Sequence, residues 1–145
     1  MSDQAMHIVC THCQATNRVP SARLSAAPNC GKCSKPLLTA SAYELTAQTA
    51  HKIIKKNDVL TVVDFWASWC QPCLIMAPQF KTAASQLPQV VFAKLQTDKY
   101  EQAVAPYNIR SLPTMIAFRG GREIARQSGA LSSGQIVQWV QSLPS

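Results

Sequence analysis

An almost unbroken apolar run, Val59 to Trp66, leads directly into Trp69-Cys70-Gln71-Pro72-Cys73, and Leu74-Ile75-Met76-Ala77-Pro78-Gln79-Phe80 follows. The first stretch has the length and continuity of a strand buried on both faces. The last reads as a helix, with Pro72 in its first turn, where proline's missing N–H costs nothing. A Cys-x-x-Cys pair at a strand-to-helix junction places its first sulfur at a helix N-terminus, where unpaired N–H groups and the macrodipole favour a thiolate. A thiolate attacks disulfides, and a second cysteine three residues on can resolve the mixed disulfide. The competing reading is half of a metal site, but no further cysteine lies C-terminal to Cys73.

The remaining cysteines have a different setting. Cys10-Thr11-His12-Cys13 and Cys30-Gly31-Lys32-Cys33 are two knuckles at zinc-ribbon spacing. Four thiolates make a soft tetrahedral cage that saturates zinc and leaves no open catalytic position. Folding arithmetic agrees, because the large apolar residues before Thr39 are few, chiefly Met6, Ile8, Val9, Val19, Leu24, Leu37 and Leu38. So few cannot offset the entropy of ordering that length of chain, and a bound metal is the usual remedy. A redox-active quartet forming two disulfides is the other reading of the same cysteines. His12, inside the first knuckle, reads as an exposed turn residue rather than a ligand. His7 and His51 have no recognisable partner.

At 145 residues the chain can bury one sound core and a small appendage. No apolar stretch approaches the length of a membrane span. The start, Met1 to His7, has neither a basic segment nor an apolar signal core. Residence in a reducing cytosol is therefore expected, where cysteines serve metal binding or redox chemistry. The formal net charge of +7 raises the question of nucleic acid. Up to residue 45, however, Arg18, Arg23, Lys32 and Lys35 stand against Asp3 and Glu44, about +2 in all. Elsewhere the charges are scattered, which points to a solvated basic surface that tolerates acidic partners.

A small-residue linker at Pro36 to Ala42 divides the chain into a metal module, residues 1–40, and an α/β domain, residues 41–145. The second part predicts a short edge strand at Ala42 to Leu45. A helix capped by Thr46 and ending near Lys56 follows, with Ala50, Ile53 and Ile54 inward. The helix after the cysteine pair should bury Cys73, Ala77, Phe80, Ala84 and Leu87 and bend at Pro78. A strand at Val90 to Gln96, a short helix at Glu101 to Pro106, a hairpin turning at Gly120-Gly121 and a helix from Ser133 to Leu143 complete the pattern. Ile136, Trp139, Val140 and Leu143 should face inward on that last helix. Strands alternating with helices imply a sheet covered on both sides.

Two residues interrupt this pattern. Asp64 lies mid-strand, where burial would raise its pKa and make it a candidate proton acceptor near neutral pH, unless backbone donors satisfy it as a structural acid. Lys94 is either its charge partner or a snorkelling surface lysine. Pro113 precedes a strand and denies it a donor, marking a bend with a cis or a trans bond.

Taken together, Val63-Asp64-Phe65-Trp66-Ala67, Trp69 to Cys73, Ala77-Pro78, Ala93-Lys94-Leu95, Ile109 to Thr114 and Gly129-Ala130 closely resemble the thioredoxin family. Cys10 to Ala15 and Asn17 to Pro20, with Cys30 and Cys33, look like the zinc-binding extension of bacterial thioredoxin 2. The resemblance implies a thioredoxin fold, a central mixed sheet with helices on both faces, preceded by a small zinc-ribbon-like module. It implies that Cys70 is the exposed attacking thiolate, Cys73 the more buried resolving thiol, and Asp64 the group that takes or relays its proton. It makes Pro113 a cis proline opposite the cysteines, leaving the Leu112 backbone free to pair with an extended substrate segment. Trp69, Gln71, Pro72, Pro78 and Gly129 would shape the surface around the sulfur. Electrons would come from NADPH through a thioredoxin reductase, the clients being disulfide-containing proteins and the chain a monomer that binds no nicotinamide or flavin itself; no glycine-rich dinucleotide motif is present. Zinc on Cys10, Cys13, Cys30 and Cys33 would be structural, with thiolates open to oxidation. The sequence departs from the family at Gln71, usually glycine, and at Leu74, usually basic. Gln71 bears on the reduction potential, and a reductant is still expected. An oxidant or isomerase, or a ribbon that binds nucleic acid or protein on a redox scaffold, are the other readings.

Overall fold

The structure, a computed structural model, describes residues 4–144. It begins with an antiparallel two-stranded ribbon, β1 (Ala5–Val9) and β2 (Thr16–Pro20), followed by a six-residue 3-10 helix at Ser21–Ala26. The remaining strands, β3 (Ala42–Glu44), β4 (Thr61–Trp66), β5 (Val91–Gln96), β6 (Thr114–Arg119) and β7 (Arg122–Ser128), form one sheet in the order β3-β5-β4-β6-β7. β3, β5 and β4 are parallel, and β6 and β7 continue antiparallel. The connecting helices are α1 (Ala47–Lys56), α2 (Gln71–Gln86), α3 (Glu101–Val104) and α4 (Ser133–Gln141). The mixed sheet and the preceding ribbon match the expected fold. Among the described residues no helix is long and apolar enough to cross a membrane.

Strand alternation sorts the core into two layers. Val63 and Phe65 of β4 pack with Ile53 and Ile54 of α1, Leu95 and Ile116 on one side of the sheet. Val62 packs with Met76 and Phe80 of α2, Phe92, Met115 and Ile136 of α4 on the other. Asp64 and Trp66 share the Val62 face by the same alternation. Thr46 caps α1 as expected, its side chain accepting from the Thr49 N–H, and Ala50, Ile53 and Ile54 are its buried stripe. On α2 the buried residues are Cys73, Met76, Phe80, Ala83 and Ala84, whereas Ala77 and Leu87 are only half-buried. The expected and observed stripes both advance in mixed three- and four-residue steps, and the observed one is turned so that Met76 and Ala83 face the sheet in place of Ala77 and Leu87. The helix is continuous through Pro78. On α4, Ile136 and Val140 are buried, while Trp139 and Leu143 lie at the margin.

Three differences from the sequence reading share one cause, the docking of the ribbon. β4 starts at Thr61 rather than Val59, because Val59 leaves the sheet to pack with Ile8, Val19, Leu37 and Val91. Leu37, expected in the linker, belongs to this same cluster, and its N–H bonds to the Pro28 carbonyl at 3.0 Å. His7 has a partner after all: its N–H reaches Asp58 Oδ2 at 2.7 Å, and the Asp58 N–H returns to the His7 carbonyl at 2.8 Å. Next to it, the buried Asn57 accepts from the Val9 N–H at 2.7 Å through Oδ1. The Asn57 carbonyl takes the Gly120 N–H at 3.0 Å from the β6–β7 turn. Gly121 in that turn has φ +82°, and a Cβ there would meet the Lys55 carbonyl at 2.8 Å, so only glycine fits against α1. Lys52 of α1 donates to the Gln14 carbonyl, and Tyr43 Oη lies 3.2 Å from Nε2 of the exposed His12. The ribbon thus sits on α1 and the entry to β4, at the end of the sheet opposite Cys70.

Candidate active site and metal centre

Where β4 ends, the chain turns through Ala67 and Ser68 and enters α2, whose cap is Cys70 itself. The Cys73 N–H points at Cys70 Sγ at 3.2 Å, the orphan donor of a helix N-terminus aimed at sulfur. Cys70 and Cys73 are joined in a disulfide, their Cα atoms 5.3 Å apart. The structure is therefore the oxidised state, and in it Cys70 is not exposed: it is 4% accessible against 1% for Cys73. Gln71 and Pro72 are exposed, and Trp69 and Ile75 stand out at 71% and 67%. Leu74, where the family usually has a basic residue, adds to that exposed apolar surface.

The loop before β6 closes the other side. The Leu112–Pro113 peptide is cis, Pro113 is buried, and the half-buried Leu112 packs on the cluster of Ala67, Cys70 and Cys73. Gly129, at φ +97°, donates its N–H to the Pro113 carbonyl at 2.9 Å. A Cβ on Gly129 would meet nothing within 4 Å, so this glycine serves its backbone conformation and leaves the surface open. Trp69, Leu112, Pro113 and Gly129 are thus gathered around the disulfide by three separate segments.

Asp64 is fully buried on the α2 face of β4, two residues before Trp66, which packs on the cysteine cluster. Neither carboxylate oxygen has a protein hydrogen-bond partner, so the reading of a backbone-satisfied structural acid does not hold. Burial pushes its pKa up to about 7, against the pull of the Lys94 ammonium. Lys94 is the register partner of Asp64 on β5, yet its Nζ lies over the Trp66 ring, 4.7 Å from the centroid, and 4.0 Å from Glu44.

Ser68 and Asp98 were not anticipated. The Ser68 hydroxyl and N–H both go to the Asp98 carboxylate, tying the loop before Trp69 to the loop after β5. Adjacent parallel strands bring their carboxyl ends together, so polar residues just past β4 and β5 were the available signal.

At the far end, Cys10, Cys13, Cys30 and Cys33 bring their sulfurs within 4.8 Å of one another, and no histidine joins them. Cys10 to Cys33 and Cys13 to Cys30 are each 3.6 Å. Zinc–sulfur bonds of about 2.3 Å in a tetrahedron require sulfur–sulfur edges of about 3.8 Å, so the four sulfurs fit a zinc ion. Amides already point at them, His12 N–H to Cys10 and Lys32 N–H to Cys30, each at 3.4 Å. The Cys33 amide and the Asn17 side chain help hold the Cys30 thiol down at about 6, while, against the Lys35 amide, burial and the sulfurs of Cys10, Cys13 and Cys30 push the Cys33 thiol up to about 11.

Comparison with known proteins gives the same two parts. The profile described as Thioredoxin matches residues 41–142, and that described as "Thioredoxin 2, N-terminal" matches residues 9–35. Thioredoxin C-3 of Corynebacterium nephridii is 43% identical over 135 residues, covering 93% of each chain. The chloroplastic M-type thioredoxin of Chlamydomonas reinhardtii is 35% identical over 127 residues, 85% of this chain and 91% of its own. The crystal structure of spinach chloroplast thioredoxin f shares the fold at TM-score 0.66 and 24% identity, covering 72% of this chain and 95% of that one. A helix-capping dithiol beside a cis-proline loop, in a chain so closely matched along its length, is disulfide-exchange machinery: this chain belongs to the thioredoxin family, as a disulfide oxidoreductase with a thioredoxin-2-type ribbon at its N-terminus.

Proposed function

We propose that the chain reduces disulfides in protein clients, with Cys70 as nucleophile and Cys73 as resolving thiol. The carrying observation is Cys70 Sγ at the cap of α2, receiving the Cys73 N–H. In the reduced protein that donor and the helix dipole favour the Cys70 thiolate. The thiolate attacks one sulfur of the client disulfide, forming a mixed disulfide and releasing the other sulfur as a thiolate. Cys73 then gives its proton to Asp64 and attacks Cys70 Sγ. The Cys70–Cys73 disulfide forms, and the second client thiolate leaves and takes up a proton. Two electrons have passed to the client, and an NADPH-dependent thioredoxin reductase returns them. Trp69, Gln71, Pro72 and Gly129 line the docking surface, and the Leu112 backbone beside Pro113 pairs with the client strand.

The four ribbon cysteines hold zinc in this reading, which supplies a folding centre rather than a reaction centre. Loss of the metal on oxidation of these thiolates would make the ribbon a redox sensor as well. A monomer divided at residues 1–40 and 41–145 and acting in the reducing cytoplasm completes the proposal. The experiment is covalent trapping. Cys73→Ser incubated with oxidised insulin should accumulate a mixed disulfide through Cys70, visible by non-reducing mass analysis and released by dithiothreitol. An adduct at any ribbon cysteine, or none at Cys70, overturns the assignment.

A further inference from the structure

Glu44, Lys94 and Asp64 occupy one row across three neighbouring strands, since Glu44 is the register partner of Lys94 and Lys94 that of Asp64. The row runs from the solvent edge to the centre of the sheet. Its outer end is 62% exposed at Glu44, the Lys94 side chain is 14% exposed, and Asp64 is buried. A lysine beside a buried carboxylate would ordinarily pair with it, because a buried charge without a partner is costly. Here the ammonium is drawn the other way: it lies 4.0 Å from Glu44 and over the face of Trp66, and Asp64 has no ion-pair partner within 4.0 Å among the described residues. Its two carboxylate oxygens accept no protein hydrogen bond either.

We propose that Glu44 is a positioning residue for the proton acceptor: it holds the Lys94 ammonium at the sheet edge, so that Asp64 stays unpaired and free to take the Cys73 proton. The inference rests on the reading of Asp64 given above. Lys94 and Glu44 are the two charges that act on Asp64, the first lowering and the second raising its proton affinity. β6 offers only Met115 opposite it, and α2 covers this face with the apolar Met76 and Phe80 and with Cys73, titratable once reduced. An exposed pair at 4.0 Å is weak in itself. Its leverage comes from position, because a lysine released from Glu44 acts on a carboxyl in a low-dielectric interior, where charges are felt strongly.

The test compares Glu44→Gln, Asp64→Asn and Lys94→Met with the parent protein. The readouts are the pH profile of insulin reduction and the titration of the Asp64 carboxyl carbon by NMR. Glu44→Gln should move the Asp64 midpoint and the acid limb of the profile down by about half a pH unit. Lys94→Met should move them up, and adding Glu44→Gln to Lys94→Met should then shift them by less than half as much as it does in the parent. A Glu44→Gln midpoint equal to the parent's, with the acid limb still abolished in Asp64→Asn, overturns the role of Glu44 alone. An acid limb that survives in Asp64→Asn overturns the role of Asp64, whatever Glu44→Gln does. A full shift in the Lys94→Met background shows direct repulsion instead of lysine positioning and likewise overturns the proposal.

Discussion

Three Cys-x-x-Cys segments occur in this chain, two in the ribbon and one at the head of α2, and identical spacing serves opposite chemistry. In the ribbon the backbone closes on itself. The Cys10 N–H goes forward to the Ala15 carbonyl, the Gln14 N–H comes back to the Cys10 carbonyl, and Cys30 repeats this with Lys35 and Ser34. The closing residues, Gln14 at φ 63° and Ser34 at φ 68°, take the left-handed conformation that turns both sulfurs of a knuckle to one point. After Cys73 the chain instead continues as helix, the Leu74 N–H bonding to the Cys70 carbonyl. There the sulfurs are stacked in the first turn, close enough to join each other, with one of them capping the helix. The residue after the second cysteine, and whether it turns back or goes on, separates a metal knuckle from a redox couple.

That contrast can be broken most sharply by exchanging damage between the two regions. Cys70→Ser should lower insulin reduction by about a thousandfold and leave bound zinc unchanged, because the nucleophile is lost and nothing else moves. Cys10→Ser should do the reverse, losing zinc while keeping reduction within about threefold, since the six-residue β4 puts roughly 20 Å between its two ends. Metal analysis and turnover on the same preparations check both. Loss of reduction in the ribbon variant without unfolding would mean that the two centres are coupled chemically, and the contrast would fail.

Next in size is the charge economy of the catalytic half. Asp64 has its ordinary value of 3.8 in the unfolded chain and about 7 when folded. Between those values the folded state holds a proton that the unfolded state has released. Stability therefore falls as pH rises from about 4 to about 7, by on the order of 4 kcal/mol, and stays low above that. Asp64→Asn should remove this dependence and be the more stable protein at pH 8. Urea unfolding at pH 5 and pH 8 measures it, and parallel pH dependences in the two proteins would contradict the buried, unpaired acid.

Local signals in the sequence were enough for elements whose partners lie close in the chain. Thr46 caps α1 where a hydroxyl precedes an apolar stripe, and it closes a capping box with Thr49. The meeting of Cys70 with the loop of Leu112 and Pro113 was legible because each block carries family-specific residues in order. Val59 was misplaced in the strand because its hydrophobicity is equally consistent with a buried strand and with a contact to the ribbon. Glu44 and Asp98 were invisible for a related reason. Their roles depend on strand register and on parallel pairing, which bring residues 30 to 50 positions apart into contact and leave no periodic trace in the chain.

The smallest predicted effect tests the seam between the two regions. Asn57 is buried, accepts from the Val9 N–H with Oδ1 and lies 3.4 Å from Thr61 Oγ1 through Nδ2, while its carbonyl holds the β6–β7 turn. A ribbon that merely hung from a linker would not notice its loss. Asn57→Ala keeps the backbone contact to Gly120 but leaves the Val9 N–H without its acceptor, at a cost of about 2 kcal/mol, or a melting temperature lower by about 6 °C. Zinc content should be unchanged, because the sulfurs are held within the ribbon. Hydrogen exchange at the Val9 amide should quicken far more than at the knuckle amides of Gln14 and Ser34. Equal acceleration at all three would mean that the ribbon unfolds with the seam and has no stability of its own, even with zinc bound.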